Sequence, residues 1–294
     1  MDTQHLKAFL TVAQLSSFTL AAEQLHLTQP AISKRIASLE QQLNCKLFDR
    51  IGRDIHLTEA GRALLPRART ILQTVKDTEQ ALSNLSGHIS GTLKLATSHH
   101  IGLHHLPQVL KYFTREHPEV VLELEFLDSE KAYSAVQRGE VELAMITLSP
   151  EDTDNTTATV LWPDPLAFVA APDHPLTNEP NCELKNLSQY PAILPDPLTY
   201  TTQLIRKRFD AKRLPLQTTM ATNYLETIKM LVSIGLGWSA LPRTMLDEQL
   251  RELKIPGQSL QRNLGSIHHS ARTLSNAAEA FLGALKQQPA TLAG

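Results

Sequence analysis

SFTLAAEQLHLTQPAISKRIASLEQQLNCKLFDRIGRDIHLTEAGRALL, residues 17–65, sets two short helical patterns on either side of a tight turn and follows them with a basic hairpin. That order predicts a winged helix-turn-helix whose second helix is shaped to enter a DNA major groove. Ile32, Ile36, Leu39 and Leu43 recur at helical spacing as one apolar stripe. The stripe is expected to pack against Phe9, Leu10, Ala21, Ala22 and Leu25 of the two preceding helices. At about 100° per residue, Pro30, Lys34, Ala37 and Gln41 face away from the stripe and Ser33 flanks it. Thr28 suits the N-cap and Pro30 the first turn, so the start of this helix is left open to a groove.

The residue types there fit DNA. Gln29 can offer its amide bidentately to an adenine edge, and Ser33 can contact a base or a phosphate. Lys34 and Arg35 can neutralise phosphates or reach guanine. Small Ala31 permits close approach. Arg50, Gly52 and Arg53 fall in the turn of a hairpin over residues 48–57, where an arginine can follow the backbone or enter a minor groove. A plain three-helix bundle with a solvated Lys-Arg pair is the competing reading. Against it stands the conjunction of helix, tight turn, Gln-Pro start and basic hairpin in one continuous segment.

With these elements the chain resembles the LysR-type transcriptional regulators. FTLAAEQLHLTQPAIS (residues 18–33), LEQQL (39–43), LFDR (47–50) and LTEAG (57–61) keep the family order. PEVVLEL (118–124), GEVELA (139–144), AAPDHPL (170–176) and GLGWSALP (235–242) extend the likeness over essentially all 294 residues. The resemblance implies DNA contacts by Gln29, Pro30, Ser33, Lys34 and Arg53. It also implies a dimer through a linker helix, often a tetramer through the effector domains, and a periplasmic-binding-protein-like effector domain of two α/β lobes between which the chain crosses twice.

Composition agrees. A length of 294 residues with 42% apolar content supports about two domains and more than one packed core. No apolar run approaches the roughly 18 residues of a membrane span, and the N-terminus lacks a basic start before an apolar core. A cytoplasmic protein is expected. The net charge of −2 hides an asymmetry: residues 1–90 hold ten Lys+Arg and eight Asp+Glu, and residues 91–294 hold 18 and 22. DNA affinity must therefore come from a concentrated patch in the N-terminal part.

After the wing, residues 58–85 have helical composition, with Leu64, Ala68, Ile71, Val75, Thr78, Leu82 and Leu85 spaced alternately by four and three. Such a heptad seam, on a helix of roughly 40 Å, should pair with another helix. SGHISG (residues 86–91) has the small residues of a hinge. Beyond it, strands at 93–96, 120–126 and 141–146 alternate with helices at 101–116 and 130–138, which predicts a parallel, doubly wound sheet. A second set of elements spans 166–242, and a strand at 266–269 and a helix at 274–285 close the chain. The expected organisation is a winged helix-turn-helix at 1–58, a linker and dimerisation helix at 59–90 and an effector-binding domain at 91–294. Lobe one takes 91–162 and 266–294, and lobe two 163–265.

The candidate effector site lies at loop-to-helix junctions. Ser98, His99 and His100 follow the first strand, Ser129 follows the second, and Thr199, Tyr200, Thr201 and Thr202 open a helix of the second lobe. Hydroxyls and free helix-start amides favour a small anion or carboxylate there. The family likeness adds Thr147 near the crossover. Each alone reads as an N-cap more readily than as a ligand contact, and their convergence on one cleft is what the family resemblance implies. The run SHHIGLHH (residues 98–105) opens a metal-responsive alternative, with His100 and His104 four apart beside His99 and His105, and with His268 or His269 as further ligands. No metal is expected, because Cys and carboxylates at ligand spacing are missing nearby. Such a His pair with ordinary pKa values would strengthen anion binding on mild acidification. A redox-responsive alternative rests on Cys182. Cys45 falls in another domain, so neither cysteine has a partner for a disulfide switch of the kind the resemblance includes.

The reading is a sequence-specific DNA-binding regulator controlled by a small anionic effector. Its expected partners are double-stranded promoter DNA, further copies of itself and a carboxylate metabolite, with RNA polymerase as a further candidate; no cofactor is expected. An enzyme is disfavoured because no nucleophile elbow, phosphate-binding glycine loop or HExxH motif occurs. A secreted solute receptor would explain two lobes but not the DNA-binding module.

Overall fold

The computed structural model describes residues 2–51 and 54–287. The chain separates into two compact units, Met1–Ser86 and Gly87–Gly294.

The first unit packs α1 (Thr3–Leu15), α2 (Phe18–Gln24) and α3 (Gln29–Leu43) beside a hairpin of β1 (Phe48–Ile51) and β2 (Asp54–Leu57), then continues into α4 (Glu59–Asn84). Each helix starts on a side-chain cap: Asp2 accepts from the Gln4 amide, Ser17 from Leu20, Thr28 from Ala31 and Thr58 from Gly61. These caps satisfy amides that have no partner within the helix. Ser16 and Asn44 leave α1 and α3 in the left-handed conformation, turning the chain sharply. The core holds Leu6, Phe9, Val12, Phe18, Ala21, Ala22, Ile32, Ile36 and Leu39. Leu43, expected in the stripe, is exposed. The turn at Asn44 returns Leu47 and Phe48 to the core instead, with the Phe48 ring 5.4 Å from Phe9 and 5.8 Å from Phe18.

Helix α4 is 26 residues long, about 39 Å at the α-helical rise. Ala68 is buried in this unit's core, with Leu64 and Ile71 packed against it, whereas Val75, Leu82 and Leu85 are exposed. The predicted seam is thus half consumed locally and half bare.

The second unit contains β3 (Gly91–Thr97), α5 (His99–His104), α6 (Pro107–Glu116), β4 (Val120–Phe126), α7 (Ser129–Arg138), β5 (Leu143–Thr147), β6 (Thr156–Ala170), α8 (Leu184–Leu187), β7 (Ala192–Leu194), α9 (Tyr200–Ala211), β8 (Thr218–Ala221), α10 (Leu225–Ser233), β9 (Ser239–Pro242), β10 (Arg251–Leu253), β11 (Leu260–His269) and α11 (Asn276–Gln287). Where one helix was expected over 101–116, two occur, because Pro107 lacks an amide and begins a new helix.

The main sheet runs β10-β6-β11-β5-β3-β4, with β9 also on β6. Within it β3 pairs parallel with β4 and with β5, whereas β11 is antiparallel to both β5 and β6. The expected parallel sheet is therefore mixed. The cause is that β6 carries the chain out of one lobe and β11 carries it back, so two neighbouring strands must run in opposite senses. Two lobes follow, each with its own cores. Leu93, Leu95, Phe113, Leu143 and Phe281 centre the first, with Ala132, Val136 and Ile146 on its other face. Phe168, Leu194, Phe209 and Trp238 centre the second, with Ile193, Ile228 and Leu241 on its other face. Trp238 stacks on Phe209 at 5.6 Å and donates its indole N–H to the Leu187 carbonyl at 2.9 Å.

Two glycines give opposite expectations. A Cβ at Gly61 would run into the carbonyl of Leu47, the residue before β1, so Gly61→Ala should destabilise the N-terminal unit by about 1–3 kcal/mol. Gly283 lies inside α11 with open space beside it, so Gly283→Ala should stabilise the other unit by roughly 0.5–1 kcal/mol. Urea denaturation of the two variants, read in each unit, checks both signs.

Candidate functional site

In the first unit the open end of α3 holds the predicted DNA-reading residues. The Gln29 side-chain amide donates to Ser33 Oγ at 2.9 Å, which orients the two side chains together one turn apart. Pro30 and Lys34 are exposed and Ala31 is half-buried. Arg35 Nη1 donates to Gln4 Oε1 at 3.4 Å, tying this guanidinium back to α1. Of Arg50 only the backbone is described, paired with Ile55 in the hairpin. Gly52 and Arg53 lie outside the described residues.

In the second unit a cleft of about 340 Å³ opens between the lobes. Ser98, His99 and His100 reach it from the end of β3, Ser129 from the start of α7, Thr147 from the end of β5, and Thr199, Tyr200 and Thr201 from the start of α9. Eight of the nine expected residues therefore meet in one place. Thr202 does not line the cleft: its hydroxyl points into the second lobe and donates to the Pro195 carbonyl at 2.8 Å.

Sequence reasoning missed the strongest charges of the cleft. Arg262 on β11 sits directly across from Asp164 on β6. Its Nε donates to Asp164 Oδ2 at 2.7 Å and its Nη1 to Thr201 Oγ1 at 2.8 Å, leaving Nη2 without such a bond among the described residues. The two side chains are only 10% and 5% exposed, so the pair is a buried one. A signal existed in the sequence, an acid and a base each set within a crossing strand, but the register that opposes them is tertiary.

Glu130 is the second missed residue. Its Oε1 accepts the Tyr200 amide at 2.8 Å, a carboxylate from the first lobe seated on a helix start of the second. The Thr199 hydroxyl occupies the Thr202 amide. Two of the amides expected to be free at this helix start, those of Tyr200 and Thr202, are thus already engaged. Burial raises the Glu130 pKa above the usual carboxylate value, against lowering by backbone hydrogen bonds that include Tyr200. Ser129 Oγ accepts the Thr147 amide at 3.1 Å, and Lys131 pairs with Asp128 at 3.2 Å. With those two cation-anion pairs neutralised, Glu130 is the remaining acidic group among the described residues of the cleft, and Arg262 Nη2 the remaining strong donor.

The histidines of the 98–105 run make different contacts, although the His100 and His104 rings lie 4.8 Å apart. The His99 ring lies edge-on to Tyr224 and Phe126, His105 packs on Trp162 at 4.8 Å, and His104 Nε2 is 2.9 Å from Glu226 Oε1. His268 and His269 do not join them. Burial, with Arg262 nearby, pushes the His100 pKa down to about 2, so His100 stays neutral on mild acidification and supplies no acid-promoted anion site. Burial also raises the Cys182 thiol, the opposite of what a reactive sensor needs.

Removing one partner of the buried pair strands the other, so Asp164→Ala should cost about 3–5 kcal/mol in urea denaturation, and replacing both partners by Met and Leu far less. Because the folded state holds Glu130 at a raised pKa, its ionisation opposes folding. Glu130→Gln and the parent should match in stability below the ordinary carboxylate range. The variant should gain as pH rises through that range and keep a constant lead above the folded-state value, as thermal unfolding across pH would show.

Residues 3–62 match the profile described as bacterial regulatory helix-turn-helix protein, lysR family, and residues 86–290 match the LysR substrate binding domain. The RuBisCO operon transcriptional regulator of Acidithiobacillus ferrooxidans is 33% identical over 282 residues, 94% of this chain and 91% of that one. A cysteine-to-aspartate variant of full-length OxyR from Pseudomonas aeruginosa has a similar fold, with a TM-score of 0.69 at 22% identity over 99% of this chain and 98% of that one. Full-length CbnR in complex with its target DNA gives 0.62 at 19% identity over 98% and 99%. This chain belongs to the LysR family and is a DNA-binding transcriptional regulator with an effector-binding domain.

Proposed function

We propose that the regulator reads a two-fold symmetric operator through the start of α3 and is switched by a small carboxylate-bearing effector held between the lobes of the second unit. The observation that carries the effector reading is the cleft itself: about 340 Å³, with Ser98, His99, His100, Ser129, Thr147, Thr199, Tyr200, Thr201 and Arg262 around it. That volume suits a compact metabolite, and hydroxyls with one guanidinium donor suit an anion. Glu130 already bonds the Tyr200 amide, so an entering carboxylate would exchange with an internal one. Ligand binding can then bias lobe closure only through its differential affinity for the two arrangements.

Residues 1–58 serve as the DNA-binding domain, 59–90 as the linker and 91–294 as the effector domain. Gln29, Pro30, Ala31 and Ser33 approach base edges, while Lys34, Arg35, Arg50 and Arg53 hold phosphates or an adjacent groove. The exposed Val75 and Leu82 of α4, with Leu85 at its C-cap, favour a dimer through this helix, and paired dimers make a tetramer. CbnR, similar in fold, has been solved with its target DNA. Cytoplasmic promoter DNA, a small anion and, at the promoter, RNA polymerase are the partners of this reading.

Binding to the intergenic DNA beside its own gene, against a random duplex at several salt concentrations, tests the proposal. Selective binding with a negative salt slope is expected. Gln29→Ala or Ser33→Ala should weaken operator binding by roughly 1–3 kcal/mol per lost base contact and leave the dimer intact. Ser98→Ala should leave operator affinity unchanged and remove the response to the effector. Unchanged discrimination in the α3 variants, or lost operator affinity in Ser98→Ala without ligand, would defeat this division of labour.

A further inference from the structure

We propose that His100, His104 and Glu226 form a binding site for a divalent transition cation of the zinc type, and that the bound cation fastens the two lobes of the second unit together. One ligand atom from each of the three lies within 4.8 Å of the others. Helix α5 places His100 and His104 four residues apart on one face, with their ring centres 4.8 Å apart. Glu226 comes from the other lobe, in the first turn of α10, and brings Oε1 to 2.9 Å from His104 Nε2.

His100 supplies the independent observation. It is 5% exposed, and neither of its ring nitrogens has a hydrogen-bond partner among the described residues; Glu226 Oε2 is likewise buried and unpartnered. Polar atoms left unpaired inside a protein are costly, and a side chain serving only to fill space there would need no ring nitrogens. A cation takes up the lone pairs of both residues at once.

Two imidazoles and one carboxylate make the donor set of a zinc-type ion with a further position for water. The oxygen-only preference of calcium and magnesium does not match it. Metal-nitrogen bonds of about 2.0–2.1 Å set tetrahedral ligand atoms roughly 3.4 Å apart, a contraction within reach of side-chain rotation. The nearby fixed cation, Arg262, is neutralised by Asp164. His104 and Glu226, 47% and 37% exposed, leave a path for the ion from solvent. His100 also lines the effector cleft, so a cation joining α5 to α10 would set how far the cleft opens. The proposal does not depend on what occupies that cleft.

The full-length protein, freed of metal with a chelator, is titrated with Co²⁺ as a visible-spectrum stand-in and then with Zn²⁺. One ion per protomer, an intense low-coordination cobalt spectrum, and a Zn²⁺-dependent rise in melting temperature of the second unit are expected. His104→Ala and the near-isosteric Glu226→Gln should each weaken binding at least about tenfold and remove that rise. Their metal-free melting curves, compared with the parent, show whether the fold is intact. No binding at micromolar metal, or binding undiminished in both variants because the ion sits on Cys45, Cys182 or other histidines, would overturn the assignment.

Discussion

Strands β6 and β11 cross together through both lobes of the second unit, and the ion pair between Asp164 and Arg262 sits on them face to face. A charge at this depth persists only if its partner is held in fixed geometry, and two adjacent backbones in register provide that. The same guanidinium reaches the Thr201 hydroxyl at the start of α9. One buried pair therefore joins the two crossing strands to a helix of the second lobe, and the cleft is built around it. Movement of one lobe relative to the other has to be accommodated at these strands, where the pairing slips register at Leu264 and Gly265.

The cleft is not a simple basic pocket. Arg262 and Lys131 are each matched by an acid, and Glu130 from the first lobe already bonds an amide of the second. That internal carboxylate does for α9 what an anionic ligand would do, at the cost of its own desolvation, which is why its pKa is raised. The contact between His104 and Glu226 is a second polar link across the same opening, on another side of it.

In the first unit, α4 has two jobs along its length. Its start is fixed by the Thr58 cap and by the close approach of Gly61 to Leu47, and Ala68 completes the helical core. From Val75 onward the apolar positions face solvent. The same heptad pattern therefore packs within the unit at one end and leaves a bare apolar stripe at the other.

The sequence by itself determined the elements whose information is local. The helix cap at Thr28, the 3.6-residue stripe of α3 and the heptads of α4 are patterns within a few turns of chain, and the structure keeps them apart from Leu43, which the turn at Asn44 leaves outside. Motif order along the whole chain was enough for the family. The junction residues from Ser98 to Thr201 were legible as positions at strand ends and helix starts, but hydroxyls there also cap helices, and their convergence on one cleft is tertiary. Only the tertiary structure decided what depends on register and on the meeting of distant segments. The antiparallel sense of β6 and β11 follows from the chain crossing twice. Arg262 meets Asp164 across 98 residues of sequence, Glu130 meets Tyr200 across 70, and His104 meets Glu226 across 122. No local pattern encodes such pairings, since they exist only once two lobes have packed and fixed the cleft between them.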